Sequence, residues 1–162
     1  MSPAPEPDPW VLVHTDPQEP EPALLWNGRF GARISRWGDG FDADGKPLPF
    51  FTDGGYDPTG EEKIREQRWV AQVDPNRPAI KGDYRQELNL RNGTLTTRFE
   101  GYEKTLYLPL NGSSVMETPM NAGGWDQFWE TDIEIDGPVA DQQAIRSFLF
   151  YLRTSVTPES KL

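Results

Sequence analysis

The chain has 162 residues and a net charge of −10, with 16 Lys and Arg against 26 Asp and Glu, no Cys and a single His. So acidic a chain repels phosphate backbones and anionic lipid, so neither nucleic acid nor a membrane is an expected partner; without Cys there is no disulfide framework or thiolate chemistry, and one imidazole, His14, removes most zinc chemistry, so no metal site is predicted. Only 35% of residues are hydrophobic, but 12% are aromatic and Gly and Pro number 15 and 16, which favours a turn-rich β fold with an aromatic core over a helical bundle.

Residues 1–22 carry Pro3, Pro5, Pro7, Pro9, Pro17, Pro20 and Pro22. Each fixes φ and removes a donor, so an extended arm is expected, interrupted by one short strand over Trp10-Val11-Leu12-Val13-His14. The start has no basic n-region and no apolar h-region, and no run approaches the ~20 apolar residues of a membrane span. A cytoplasmic location is therefore expected.

Residues 23–122 read as an antiparallel β domain of short alternating segments separated by turn residues. Gly31 to Trp37 forms a predicted strand closed by Gly38-Asp39-Gly40, and Asp42-Ala43-Asp44-Gly45 forms a turn. That turn matches the third, fifth and sixth places of a calcium loop, but Gly40 and Phe51 would stand where two essential oxygen ligands belong, so a hairpin turn is the better account. Glu61 to Glu66 reads as a solvated charged turn or a single helical turn. Gln86 to Arg91 and Thr94 to Phe99 alternate on both sides of Asn92-Gly93, a strong hairpin signal. Lys104 to Leu108 makes a further strand, ended by Pro109, and Asn111-Gly112 a second turn. Both Asn-Gly turns satisfy the N-glycosylation sequon, through Thr94 and Ser113, but a tight turn explains them without an export signal.

Residues 123–138 form a linker. It contains Trp125 and Trp129, whose indoles could stack on a sugar face with Asp126 hydrogen-bonding hydroxyls; these three are the candidate substrate-binding residues, and core packing is the competing use of both tryptophans. Glu130, Asp132, Glu134 and Asp136 would line one face of a strand at roughly 6.6 to 6.8 Å spacing, with Thr131, Ile133 and Ile135 turned inward. One strand face cannot flank a glycosidic bond from both sides, so a solvated edge is expected. From Pro138 the period becomes helical: Ala144, Ile145, Phe148, Leu149 and Leu152 form an apolar stripe over a helix at 139–156, with Asp141 near its start and Arg153 near its end. The stripe demands a partner. No phosphate loop, dinucleotide fingerprint, nucleophile elbow or metal-binding His pair occurs, so no catalytic residue is assigned within the chain.

Three stretches together resemble one enzyme group. Trp26-Asn27-Gly28-Arg29-Phe30-Gly31-Ala32-Arg33 looks like the segment that opens the N-terminal β-sandwich of glycoside hydrolase family sixty-five, the maltose, trehalose and kojibiose phosphorylases and related glucosidases. Gln86 to Leu95 resembles the family's hairpin, usually written with Asp where Asn89 stands. Trp129 to Leu152, with Ile133-Glu134-Ile135-Asp136-Gly137, Gln142-Gln143-Ala144-Ile145-Arg146 and Phe150-Tyr151-Leu152, looks like the approach to the family's catalytic (α/α)₆ barrel. Residues 30–57 are about as similar to family ninety-four, the cellobiose phosphorylase group, which leaves the bond type open.

The resemblance implies a mainly β chain: an antiparallel β-sandwich (supersandwich), a linker, and one C-terminal α-helix that would be the first helix of the barrel. It implies a carbohydrate-active enzyme, hydrolase or phosphorylase of α-glucosides, with no cofactor beyond phosphate as co-substrate. The general acid and the sugar-holding segment would lie in the barrel, so the segment would not be catalytic alone; its partners would be carbohydrate and a barrel domain or a second subunit. Ser160-Lys161-Leu162 matches a peroxisomal address, but family members simply continue there, so the match is read as coincidental. A stand-alone carbohydrate-binding or interaction module is the alternative.

Overall fold

The alternation of apolar and polar residues is realised as two antiparallel sheets in a β-sandwich, followed by a linker and a C-terminal helix. The computed structural model describes residues 7–18, 22–56, 62–68, 73–110, 115–117 and 125–155. Nine strands are described: β1 (Val11–His14), β2 (Ala23–Trp26), β3 (Phe30–Ile34), β4 (Pro49–Tyr56), β5 (Glu62–Arg68), β6 (Arg85–Asn89), β7 (Thr94–Phe99), β8 (Tyr102–Tyr107) and β9 (Met116–Glu117). They form one sheet in the order β1-β6-β7-β8-β9 and another in the order β2-β3-β4-β5. The strand of the N-terminal arm thus enters the first sheet, pairing Val11 with Asn89 and His14 with Gln86. Helices α1 (Trp125–Phe128) and α2 (Val139–Ser155) follow.

The core lies between the sheets. Leu25, Phe30, Ala32 and Ile34 from one meet Leu88, Leu95 and Leu106 from the other, and Leu90, Leu108, Trp125 and Phe150 close the cluster. Period-two alternation does this directly: along β7, Leu95, Thr97 and Phe99 are buried while their neighbours are not. Two polar residues interrupt the apolar layer and satisfy each other. Gln86 donates its amide hydrogens to the Ser35 carbonyl at 3.0 Å and to Thr97 Oγ1 at 2.9 Å, so one side chain stitches the sheets together.

The Asn92-Gly93 hairpin forms, but its strands close earlier than a two-residue loop would allow. Asn89 pairs with Thr94, leaving Leu90 to Gly93 as a four-residue loop. Leu90 is drawn out of the ladder because its side chain is fully buried and its N–H donates to the Trp10 carbonyl at 2.9 Å. The slip is by two positions, an even number, so the inward faces stay as alternation predicts. Gly93 has φ 65°, and a Cβ there would collide with the Trp125 ring. Gly93→Ala is expected to cost more than the roughly 1–2 kcal/mol of a left-handed backbone alone, because the collision adds to it; a chemical denaturation curve measures this.

Three local expectations give way to tertiary structure. Residues 62–66 are strand and not a charged turn or helical turn, because β5 pairs with β4 from Pro49↔Arg68 to Tyr56↔Glu62; charged residues are usual on an edge strand, where they discourage further pairing. Residues 130–136 are not a strand, and Ile133 and Ile135 are 51% and 37% exposed. Their backbone is claimed by a helix side chain: Ile135 N–H donates to Gln142 Oε1 at 2.9 Å, and Gln142 Nε2 donates to the Ile133 carbonyl at 2.8 Å. The third concerns which face of α2 is buried, described below. The expected turn at Asn111-Gly112 lies outside the described residues.

Candidate functional site

The three sequence-level candidates sit where the linker crosses the sandwich, and the fold does not bring them to one accessible surface. Trp125 is 1% exposed. Its ring stacks on Phe150 with centroids 5.2 Å apart and planes 5° from parallel, meets the Phe128 ring edge at 5.0 Å, and sends its N–H to the Leu108 carbonyl at 3.3 Å. It is a core residue. Trp129 is half-buried; its N–H donates to the Leu90 carbonyl at 2.9 Å, and its ring meets Trp10 edge-on at 4.8 Å with the Arg153 guanidinium 5.4 Å from its centroid. Asp126, in the first turn of α1, is exposed. Packing and hydrogen bonding engage both indoles, and Trp125 presents no exposed ring face.

The more informative surface belongs to α2. On its sandwich-facing side stand Gln142, Arg146, Leu149, Phe150 and Thr154, all buried. Three are polar, and each has a task. Gln142 holds the linker backbone as described. Arg146 donates from Nε and Nη2 to one oxygen of Asp132, at 3.0 and 2.6 Å, while its guanidinium lies 3.8 Å from the Trp10 ring centroid. Thr154 donates to the Phe150 carbonyl at 2.8 Å, one turn back in the helix. Gln143 reaches the arm, donating to the Asp8 and Val11 carbonyls at 2.9 Å each. Arg153 donates to the Phe128 carbonyl and to Thr131 Oγ1, both at 2.8 Å. Burial also pushes the Tyr151 phenol up, which keeps it a neutral hydroxyl against the sandwich.

The opposite face inverts expectation. Ala144, Phe148 and Leu152, at i, i+4 and i+8, are exposed, Phe148 at 66% and Leu152 at 48%. Of the stripe predicted to seek a core, Leu149 is buried, Ile145 is half-buried, and the other three face solvent. Polar residues pack inward because the linker presents the Ile133 carbonyl, the Ile135 N–H and the Asp132 carboxylate there, and such polar groups need partners more than a buried methyl does. Sequence reasoning passed over Gln142, Gln143 and Arg146 as functional positions. Their signal was polar side chains at i and i+4 on a helix otherwise read for its apolar stripe.

Among the described residues no group of three or more His, Asp or Glu side chains is placed to hold a metal ion, and no helix is long and apolar enough to cross a membrane. No protein-family description, curated protein or solved structure matches the chain.

Proposed function

We propose that this chain is the N-terminal β-sandwich, linker and first barrel helix of a cytoplasmic carbohydrate-active enzyme, a glycoside hydrolase or phosphorylase of α-glucosides, and is not catalytic by itself. One observation carries the reading: α2 turns Ala144, Phe148 and Leu152 outward while its polar face is spent on the linker and arm. A helix packed on a single sandwich buries its apolar stripe against it; the first helix of a helical barrel keeps that stripe for a neighbouring helix. The resemblance of residues 26–33, 86–95 and 129–152 to that enzyme group supports the reading, and phosphate would enter as co-substrate if the bond is cleaved by phosphorolysis. The sandwich would brace the barrel's first helix and leave acid catalysis to carboxylates contributed by the barrel. The burial of Trp125 weighs against a stand-alone sugar-binding module built on that ring.

Two measurements test this. Co-expression with a family (α/α)₆ barrel lacking its own sandwich should yield a stable complex with glucosidase or phosphorolysis activity, and a failure of every such pairing to associate counts against the proposal. Phe148→Asp combined with Leu152→Asp should change the stability of the isolated chain by no more than about 0.5 kcal/mol per site, as exposed substitutions do, while preventing association with the barrel. If the double variant instead unfolds the isolated chain, the stripe is part of the sandwich's own core and the docking role is lost.

A further inference from the structure

A cavity of about 320 Å³ lies among the end of β1, the turn that follows β3 and the start of β6, at the lower end of the size range of small-ligand sites. Trp37 and Leu48 contribute apolar wall, and His14, Arg36, Tyr84 and Gln86 contribute polar groups. Tyr84 is 5% exposed, and its hydroxyl is the one buried side-chain polar atom among the described residues with no hydrogen-bond partner. A buried hydroxyl is nearly always paired, so this one calls for an explanation. Burial pushes the phenol up to about 12, against the opposing pull of Arg36, so the group remains a donor at physiological pH.

The neighbours restrict what that donor is for. Both amide hydrogens of Gln86 are committed to Ser35 and Thr97, which leaves Oε1 as its acceptor. Arg36 donates to the Pro17 carbonyl at 2.7 Å and lies 4.5 Å from the Trp37 ring centroid. Asp42, the acidic residue of the lining, accepts from the N–H groups of Asp44 and Lys46 at 2.9 and 2.8 Å. One guanidinium and one carboxylate oppose each other, so neither sign of ligand charge is favoured. A wall with a donor, an acceptor and an apolar strip suits groups that donate and accept through the same oxygen and carry C–H bonds beside it.

We infer that this cavity binds a neutral polyhydroxy compound, a polyol or a single sugar ring, with the Tyr84 hydroxyl donating to one of its oxygens. The hydroxyl is covered, so contact with a ligand in the cavity requires a shift of the cavity wall. The inference rests on the cavity and not on the barrel-docking role, and either can fail without the other.

The test is titration of the isolated chain with glucose and glycerol, and with gluconate and glucosamine as charged counterparts, followed by calorimetry and by the NMR shift of the Trp37 indole N–H. Saturable binding of the neutral compounds is expected, with the charged ones weaker. Tyr84→Phe removes only the unpaired hydroxyl, so it should leave the melting temperature of the free chain unchanged or higher while weakening binding roughly tenfold. Ala43→Phe, which adds bulk from an exposed position on the cavity lining, should abolish binding with the fold intact. The inference is overturned if no neutral polyol binds, if gluconate or glucosamine binds as well as glucose, or if Tyr84→Phe binds like the parent chain.

Discussion

Trp125→Ala is expected to destabilise the chain by about 3 to 5 kcal/mol, the range for deleting a large aromatic side chain from a core. The ring is covered on the Phe150 side, approached at its edge by Phe128, and seated against Gly93 so closely that no Cβ fits there. The sandwich cannot collapse into the space left, because Gly93 belongs to a hairpin whose strands are held by β1 and β8 on either side. The lost indole also strands the Leu108 carbonyl, 1% exposed at its residue, without its donor. Typical domains have only about 5 to 15 kcal/mol of total stability, so roughly a fifth of it or more would go. Trp125→Phe, which keeps part of the stack, should fall between the parent and the Ala variant on a urea curve, and Asp126→Ala should lie within about 0.5 kcal/mol of the parent. A sugar-stacking tryptophan would behave in the opposite way, losing ligand and keeping stability; a Trp125→Ala protein that melts like the parent would refute the core assignment.

Arg146→Ala is expected to cost about 3 kcal/mol, the lower bound for breaking a buried ion pair from one side. The guanidinium is 6% exposed and the Asp132 side chain 17%, so removing the cation leaves a largely dry carboxylate. The same substitution takes away the group lying on Trp10, loosening the arm as well as the linker. The diagnostic result is a double-mutant cycle. Arg146→Ala with Asp132→Ala should lose less than the sum of the two single variants, by about 1 to 3 kcal/mol, because the second deletion removes the carboxylate that the first left unpaired. Additive losses would mean that Arg146 acts mainly through Trp10. Hydrogen exchange at the Ile133 and Ile135 amides should rise in the single Arg146 variant, since the ion pair at Asp132 that helps Gln142 hold this part of the linker is then gone.

How much of this was legible beforehand differs from element to element. The β6–β7 hairpin was visible because Leu88, Leu95, Thr97 and Phe99 keep the period that a half-buried sheet imposes, and Asn92-Gly93 supplies the turn chemistry. Its register was not, because the choice between pairing Leu90 and releasing it depends on Trp10, which is remote in sequence and offers the carbonyl that Leu90 N–H takes. The charged stretch at residues 62–66 has no strand pattern to read; its conformation comes from a neighbouring strand with open hydrogen bonds. The cavity beside Tyr84 was invisible, since its walls come from four separated segments and its one telling feature is a hydroxyl with no hydrogen-bond partner among the described residues.

Composition and periodicity were enough for the class of fold and the position of the C-terminal helix, because those depend on averages over many side chains and on spacing along one segment. Tertiary structure alone decided which face of α2 is buried and what Trp125 is for. Both turn on competition for the same interior: Gln142 and Arg146 go inward because unpaired backbone and a carboxylate wait there, and Phe148 and Leu152 are left outside although they are the more hydrophobic. Helical period identifies a stripe, and only the groups packed around it determine which way the stripe turns.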